Sequence, residues 1–179
     1  MAAASIERRA FAEIRASGRR LEGYAATFGS EARIGEIVET IAPGAFRASL
    51  AGDVLALMDH DPARVLGRTR SGTLRLSEDG SGLAFSLDLP DTQAGRDVLE
   101  LAQRNDLGGM SFGFIVPTGG DSWAGERRTL RTVELREISV VSAHPAYPDT
   151  SLALRSRPFP SAIEARRRRL TIAELTSWV

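Results

Sequence analysis

Thr73-Leu74-Arg75-Leu76-Ser77, then Glu78-Asp79-Gly80-Ser81, then Gly82-Leu83-Ala84-Phe85-Ser86-Leu87-Asp88-Leu89 run on without a break. Apolar and polar residues alternate on both sides of a turn-rich tetrapeptide, so the stretch predicts two strands joined by a tight turn. Pro90 closes the second strand. Thr92 has the chemistry of a helix N-cap, and Val98, Leu99, Leu101 and Ala102 give an apolar face to a helix ending near Asn105. It is the one well-marked helix in mid-chain.

Short extended segments lie to either side. Residues 6–28 alternate around Ser17-Gly18 and predict paired strands. Ile34 to Ile41 is a β-branched run that Pro43-Gly44 breaks, and Ala45 to Leu50 has room for a turn or two of helix, stopped near Gly52. Val54 to Met58 predicts a buried strand that delivers His60 just beyond its end. After the helix, Leu107 to Val116 predicts a strand rich in glycine and aromatics, 117–126 a loop or hairpin tip, and Arg127 to Leu135 and Arg136 to Val141 the last strands. Many short strands with one good helix point to a mainly β, α+β domain with flanking helices. They favour a closed or nearly closed β-barrel over a βαβ sheet. Composition shifts after Leu154: Arg155-Ser156-Arg157-Pro158-Phe159-Pro160 predicts a linker, and Ile163 to Val179 a basic helix with an amphipathic end. The division is therefore a domain over 1–154 and a tail over 155–179. The run Arg166 to Arg169 is first of all a solvated face, and nucleic acid is not the expected partner.

At 179 residues with 42% apolar sequence, the chain can bury one real core. Its 23 basic residues, all arginine, balance 23 acidic ones, so no global field recruits nucleic acid or a membrane. Residues 1–9 lack the apolar run of a signal peptide, and no segment approaches transmembrane length. Absence of cysteine excludes a disulfide, a thiolate metal site and a cysteine nucleophile. Two distant histidines and scattered carboxylates lack metal-ligand spacing, and no cofactor motif is present.

Chemistry near neutral pH then has few places to live. One histidine, His60, sits in Leu57-Met58-Asp59-His60-Asp61, and Ser111 sits in Gly109-Met110-Ser111-Phe112-Gly113-Phe114. A serine nucleophile needs a neighbouring base, usually an imidazole. Gly109 and Gly113 flank Ser111 at i−2 and i+2, on its own face of an extended strand, which predicts open space over the hydroxyl. Phe112 and Phe114 would point to the core instead.

Six segments in order carry a family resemblance: Gly23 to Gly29, Ile41 to Phe46, Leu57 to Asp61, Gly109 to Phe114, Glu137-Ile138-Ser139-Val140-Val141, and Pro145-Ala146-Tyr147-Pro148-Asp149-Thr150. Over about residues 20 to 155 the chain resembles the prohead maturation proteases of HK97-type tailed phages, also found in gene transfer agents. These in turn are similar to the herpesvirus assemblin serine proteases. The resemblance implies an assemblin-like barrel and a serine endopeptidase without a cofactor, acting inside the assembling prohead in the host cytoplasm. Its substrates would be the N-terminal scaffold-like segment of the major capsid protein or a separate scaffold, and the protease itself, with self-association possible. It also implies that Ser111 is the nucleophile and His60 the general base. For the third member, an assemblin-like Ser-His-His site would use His144, whereas a carboxylate suits the role physically at least as well. Glu137, before Ile138-Ser139-Val140-Val141, is preferred; Asp59 and Asp61 are too close to His60 in sequence to face its ring edge. Two rivals stand beside this reading. One is a catalytically silent scaffold or assembly factor that keeps the protease fold. The other is a housekeeping serine hydrolase, but the strand predicted around Ser111 is not the strand-to-helix elbow of the commonest such fold.

Overall fold

The computed structural model describes residues 6–11 and 13–143. They form thirteen strands and one α-helix. The strands are β1 (Glu7–Phe11), β2 (Glu13–Ser17), β3 (Arg20–Thr27), β4 (Ala32–Ile34), β5 (Ile37–Ile41), β6 (Leu55–Met58) and β7 (Asp61–Arg68). They continue as β8 (Leu74–Glu78), β9 (Gly82–Asp88), β10 (Gly109–Ile115), β11 (Asp121–Ala124), β12 (Arg127–Leu130) and β13 (Glu134–Val141), with α1 (Gln93–Gln103) between β9 and β10. They pair into three sheets, in the orders β1-β10-β13-β6-β7, β11-β12-β5-β4 and β2-β3-β9-β8. All pairings are antiparallel except β12 with β5 and β13 with β6. The chain is thus mainly β in the α+β class. Among the described residues the ladders stay separate, and no hydrogen-bonded closure joins them into one barrel.

The β8–β9 hairpin forms as its alternation predicts, with Leu74, Leu83, Phe85 and Leu87 buried. Its turn is held by Asp79, whose carboxylate accepts the backbone N–H groups of Ser81 (2.7 Å) and Gly82 (3.1 Å) and the Tyr24 hydroxyl (2.7 Å). Those bonds, the Tyr24 hydroxyl foremost, hold the Asp79 carboxyl below its ordinary value. Thr92 caps α1 by accepting the Gly95 N–H at 3.3 Å, and Val98 is buried. Gly95 is required for packing: a Cβ there would lie 2.0 Å from the Pro90 carbonyl oxygen.

Two strands depart from the sequence expectation. β7 has no alternation and contains Pro62, and its register against β6 slips twice, so no period-two signal marks it. β11 falls within the segment that reads as a loop or hairpin tip, and it is one arm of a hairpin rather than only its tip. It pairs with β12 in register from Asp121↔Leu130 to Ala124↔Arg127, an exposed hairpin whose polar and glycine-rich composition hides it. The Arg127–Leu135 segment is not one strand either, since β12 ends at Leu130 and β13 begins at Glu134.

The core lies between the sheets and is organised around phenylalanines. Phe46 meets Phe112 edge-on at 5.5 Å and Phe28 at 6.4 Å, and Phe112 stacks on Phe114 at 5.2 Å. Phe46, Phe112 and Phe114 are fully buried, with Met110, Ile138 and Val140 beside them. As the alternation predicts, β10 turns Phe112 and Phe114 into the core. Truncating one of these rings to alanine costs about 3–5 kcal/mol in such a setting. Its other face is left to build a site. No helix among the described residues is long and apolar enough to cross a membrane. The proposed tail, 155–179, lies outside the described residues.

Candidate active site

Asp59 and His60 form the whole connection between β6 and β7, since Met58 pairs with Asp61. Both have positive φ, 52° and 59°. Two consecutive left-handed residues mark a type I′ hairpin turn, the tight turn that suits the twist of the flanking strands. Aspartate and histidine enter this region more readily than most residues, yet it is a strained conformation that the surroundings must hold. Here β13 holds it. The Asp59 N–H donates to the Val140 carbonyl at 2.9 Å, and the Asp59 carboxylate accepts the Ser142 N–H (2.8 Å) and hydroxyl (2.7 Å). The His60 N–H donates to Ser139 Oγ at 2.8 Å.

Strand register brings the remaining residues in. β10 and β13 pair Ser111 with Ser139 and Gly113 with Glu137, and β13 pairs Ser139 with Leu57 of β6. Directly opposed residues share a sheet face. Ser111, Ser139, Gly113 and Glu137 therefore make one polar patch, on the opposite face from Phe112 and Ile138. The His60 ring reaches over it: Nδ1 lies 2.8 Å from Glu137 Oε1. An ionised carboxylate only accepts, so Nδ1 carries the hydrogen against it, which makes Nε2 of the neutral ring the acceptor. Nε2 is buried with no hydrogen-bond partner among the described residues, and so is Ser111 Oγ. Orphaned buried polar atoms are rare in folded proteins. These two are chemically complementary, one a hydroxyl donor and the other an imidazole acceptor.

The space around Ser111 differs from expectation. Ser111 is fully buried and Glu137 is 5% exposed, while the His60 side chain keeps 13%. The room left by Gly113 is not open: a Cβ there would lie 2.7 Å from both Cγ and Oε1 of Glu137. The missing side chain lets the carboxylate lie across β10 and reach His60. A cross-strand neighbour fills the gap a glycine leaves, which spacing along one strand cannot reveal. Although Gly109, Ser111 and Gly113 have Gly-x-Ser-x-Gly spacing, all three lie within β10, so this is no strand-to-helix elbow.

Of the candidate third members, Glu137 contacts His60 and His144 lies outside the described residues. Asp59 is engaged with Ser142 and Arg64, and the Asp61 carboxylate accepts the Ala63 N–H at 2.9 Å. Neither is among the partners of the ring. The chain after Ala143 lies outside the described residues. Sequence reasoning missed Ser139. Its signal is the spacing of Glu137 and Ser139 at i and i+2 between the buried Ile138 and Val140, two polar residues on one face of a buried strand. No group of three or more histidine or acidic side chains among the described residues could hold a metal ion.

The family model described as caudovirus prohead serine protease matches residues 5–162 of the 179. Among curated proteins and among solved structures, none matches significantly.

Proposed function

The chain belongs to the caudovirus prohead serine proteases, and from that premise we propose that Ser111, His60 and Glu137 form its catalytic triad. Ser111 Oγ attacks the scissile carbonyl and passes its proton to His60 Nε2, while Glu137 keeps the hydrogen on Nδ1 and stabilises the imidazolium that forms. His60 then returns the proton to the leaving amine, and a water molecule completes hydrolysis by the same route. The reading rests on one observation above the others: Ser111 Oγ and His60 Nε2 are the two partnerless buried side-chain atoms among the described residues, with Glu137 already on the far nitrogen.

The substrate in this reading is the scaffold-like N-terminal segment of the capsid protein or a separate scaffold, cut inside the assembling prohead in the host cytoplasm. The protease would also cut itself near the 155–161 linker, dividing a 1–154 domain from its tail. An assemblin-like barrel belongs to the same reading, supported by the packing of β3 against both β1 and β10, which brings two of the sheets around one core. Co-expression with the cognate capsid protein tests it: wild type shortens the capsid protein, and Ser111→Ala leaves both at full mass. A processed capsid protein in the Ser111→Ala strain removes Ser111 from the mechanism. The full burial of Ser111 favours a second reading, a silent assembly factor that keeps the protease fold. An uncleaved capsid protein beside wild type in intact proheads would support that one.

A further inference from the structure

We propose that Ser139 is a positioning residue that holds the His60 turn in its strained conformation and thereby keeps the imidazole between Ser111 and Glu137. The inference rests on the triad reading above. Ser139 is fully buried, and its hydroxyl accepts the His60 N–H at 2.8 Å while donating to the Leu57 carbonyl at 3.3 Å. It thus ties the turn residue to the strand that leads into the turn. Its register partner across β10 is Ser111 itself. Two serines stand side by side on one face: one has an uncommitted hydroxyl, the other is bonded on both sides. That contrast separates a nucleophile from a positioning group.

The need for a pin follows from the backbone. His60 has φ 59°, a region that L residues leave when nothing holds them. The bonds of Asp59 fix the first turn residue to the end of β13, but those described bonds do not reach the His60 backbone. Without the Ser139 hydroxyl, the part-buried His60 N–H and the Leu57 carbonyl both lose a partner, and the turn gains reason to relax. A shift of about 1 Å in a catalytic base costs about 10²-fold in rate.

A fluorophosphonate probe reports this directly. Ser111 Oγ forms the bond to phosphorus, fluoride leaves, and the hydroxyl proton passes to His60 Nε2. Wild type should label at Ser111, and Ser139→Ala about 10–100-fold more slowly. Ser139→Thr keeps the hydroxyl and should return to within about threefold of wild type, if positioning is the role. The downfield Nδ1 proton resonance of His60, assigned in a His144→Gln background, should move or broaden in Ser139→Ala and return in Ser139→Thr. Wild-type labelling and an unmoved resonance in Ser139→Ala overturn the proposal. So does a Ser139→Thr protein as slow as Ser139→Ala, and this second variant decides alone if the alanine protein does not fold. If wild type does not label at Ser111, the triad reading fails, and the resonance still tests Ser139.

Discussion

Two polar clusters among the described residues, one part-buried and one buried, are built on opposite rules. In one, Glu7, Arg9, Glu39, Arg128 and Asp121 tie β1 to β5, β12 and β11. Arg9 reaches both oxygens of Glu39 (2.5 and 2.8 Å), and Arg128 holds Glu7 (2.6 and 3.0 Å), Glu39 (3.0 Å) and Asp121 (2.8 Å). Arg9 also lies over the Phe114 ring and Arg128 over Trp123. In the other, His60 and Glu137 are bonded, yet His60 Nε2 and Ser111 Oγ have no partner among the described residues. Both sit where an unpaired polar group is costly. The first cluster meets that cost by giving every member a charged partner. The second leaves two complementary atoms unspent, as a site must if a substrate is to complete it. Unmet hydrogen bonding, more than burial or charge, separates the proposed site from the ionic cluster.

The largest effect that could break this contrast lies in the proposed triad. Glu137→Gln should slow turnover about 10⁴-fold, because an amide cannot hold the same tautomer and does not stabilise an imidazolium. His144→Ala should stay within about tenfold of wild type by the same logic. Single-turnover cleavage of a capsid-derived peptide ranks the two, and the reverse order would make this a Ser-His-His site.

Stability should separate the clusters next. Glu39→Ala takes one carboxylate from Arg9 and Arg128, which keep Glu7 and, for Arg128, Asp121, and should cost about 1–3 kcal/mol in urea unfolding, the loss expected for buried hydrogen bonds to charged groups. Ser111→Ala removes a buried hydroxyl with no hydrogen-bond partner among the described residues, so it should be neutral or stabilising by up to about 1 kcal/mol. A marked destabilisation by Ser111→Ala would mean that Oγ carries a structural bond after all.

The smallest effect is a pH dependence in the ionic cluster. Burial raises the Glu7 carboxyl pKa, but Arg128 and then Arg9 outweigh it, and the group sits below its ordinary value of 4.5. A carboxyl depressed on folding adds stability that is fully present above the unfolded value. That stability is lost as pH falls through the lower folded value. Unfolding free energy of wild type should therefore drop as pH falls below about 4.5, and the drop should be smaller in Glu7→Gln. Equal slopes for the two proteins would show that Glu7 does not titrate with folding.

Much of this molecule is determined by its sequence, because strands, turns and helix caps rest on neighbours within a few residues. The β8–β9 alternation, the Thr92 cap and the inward-facing Phe112 and Phe114 needed only local periodicity. The family resemblance carried His60, Ser111 and a preference for Glu137, and Ser139 lay in a quoted segment without a role. Only the tertiary structure decided how they meet. Glu137 reaches His60 across 77 positions of chain, over a glycine that lies on a third strand. The tie between Glu7 and Arg128 spans 121 positions, and β7 carried no local signal at all. These depend on register between strands far apart in sequence, and register is set by which faces pack into the common core. Residue pattern chose the strands; packing chose their neighbours, and with them the atoms left without a partner.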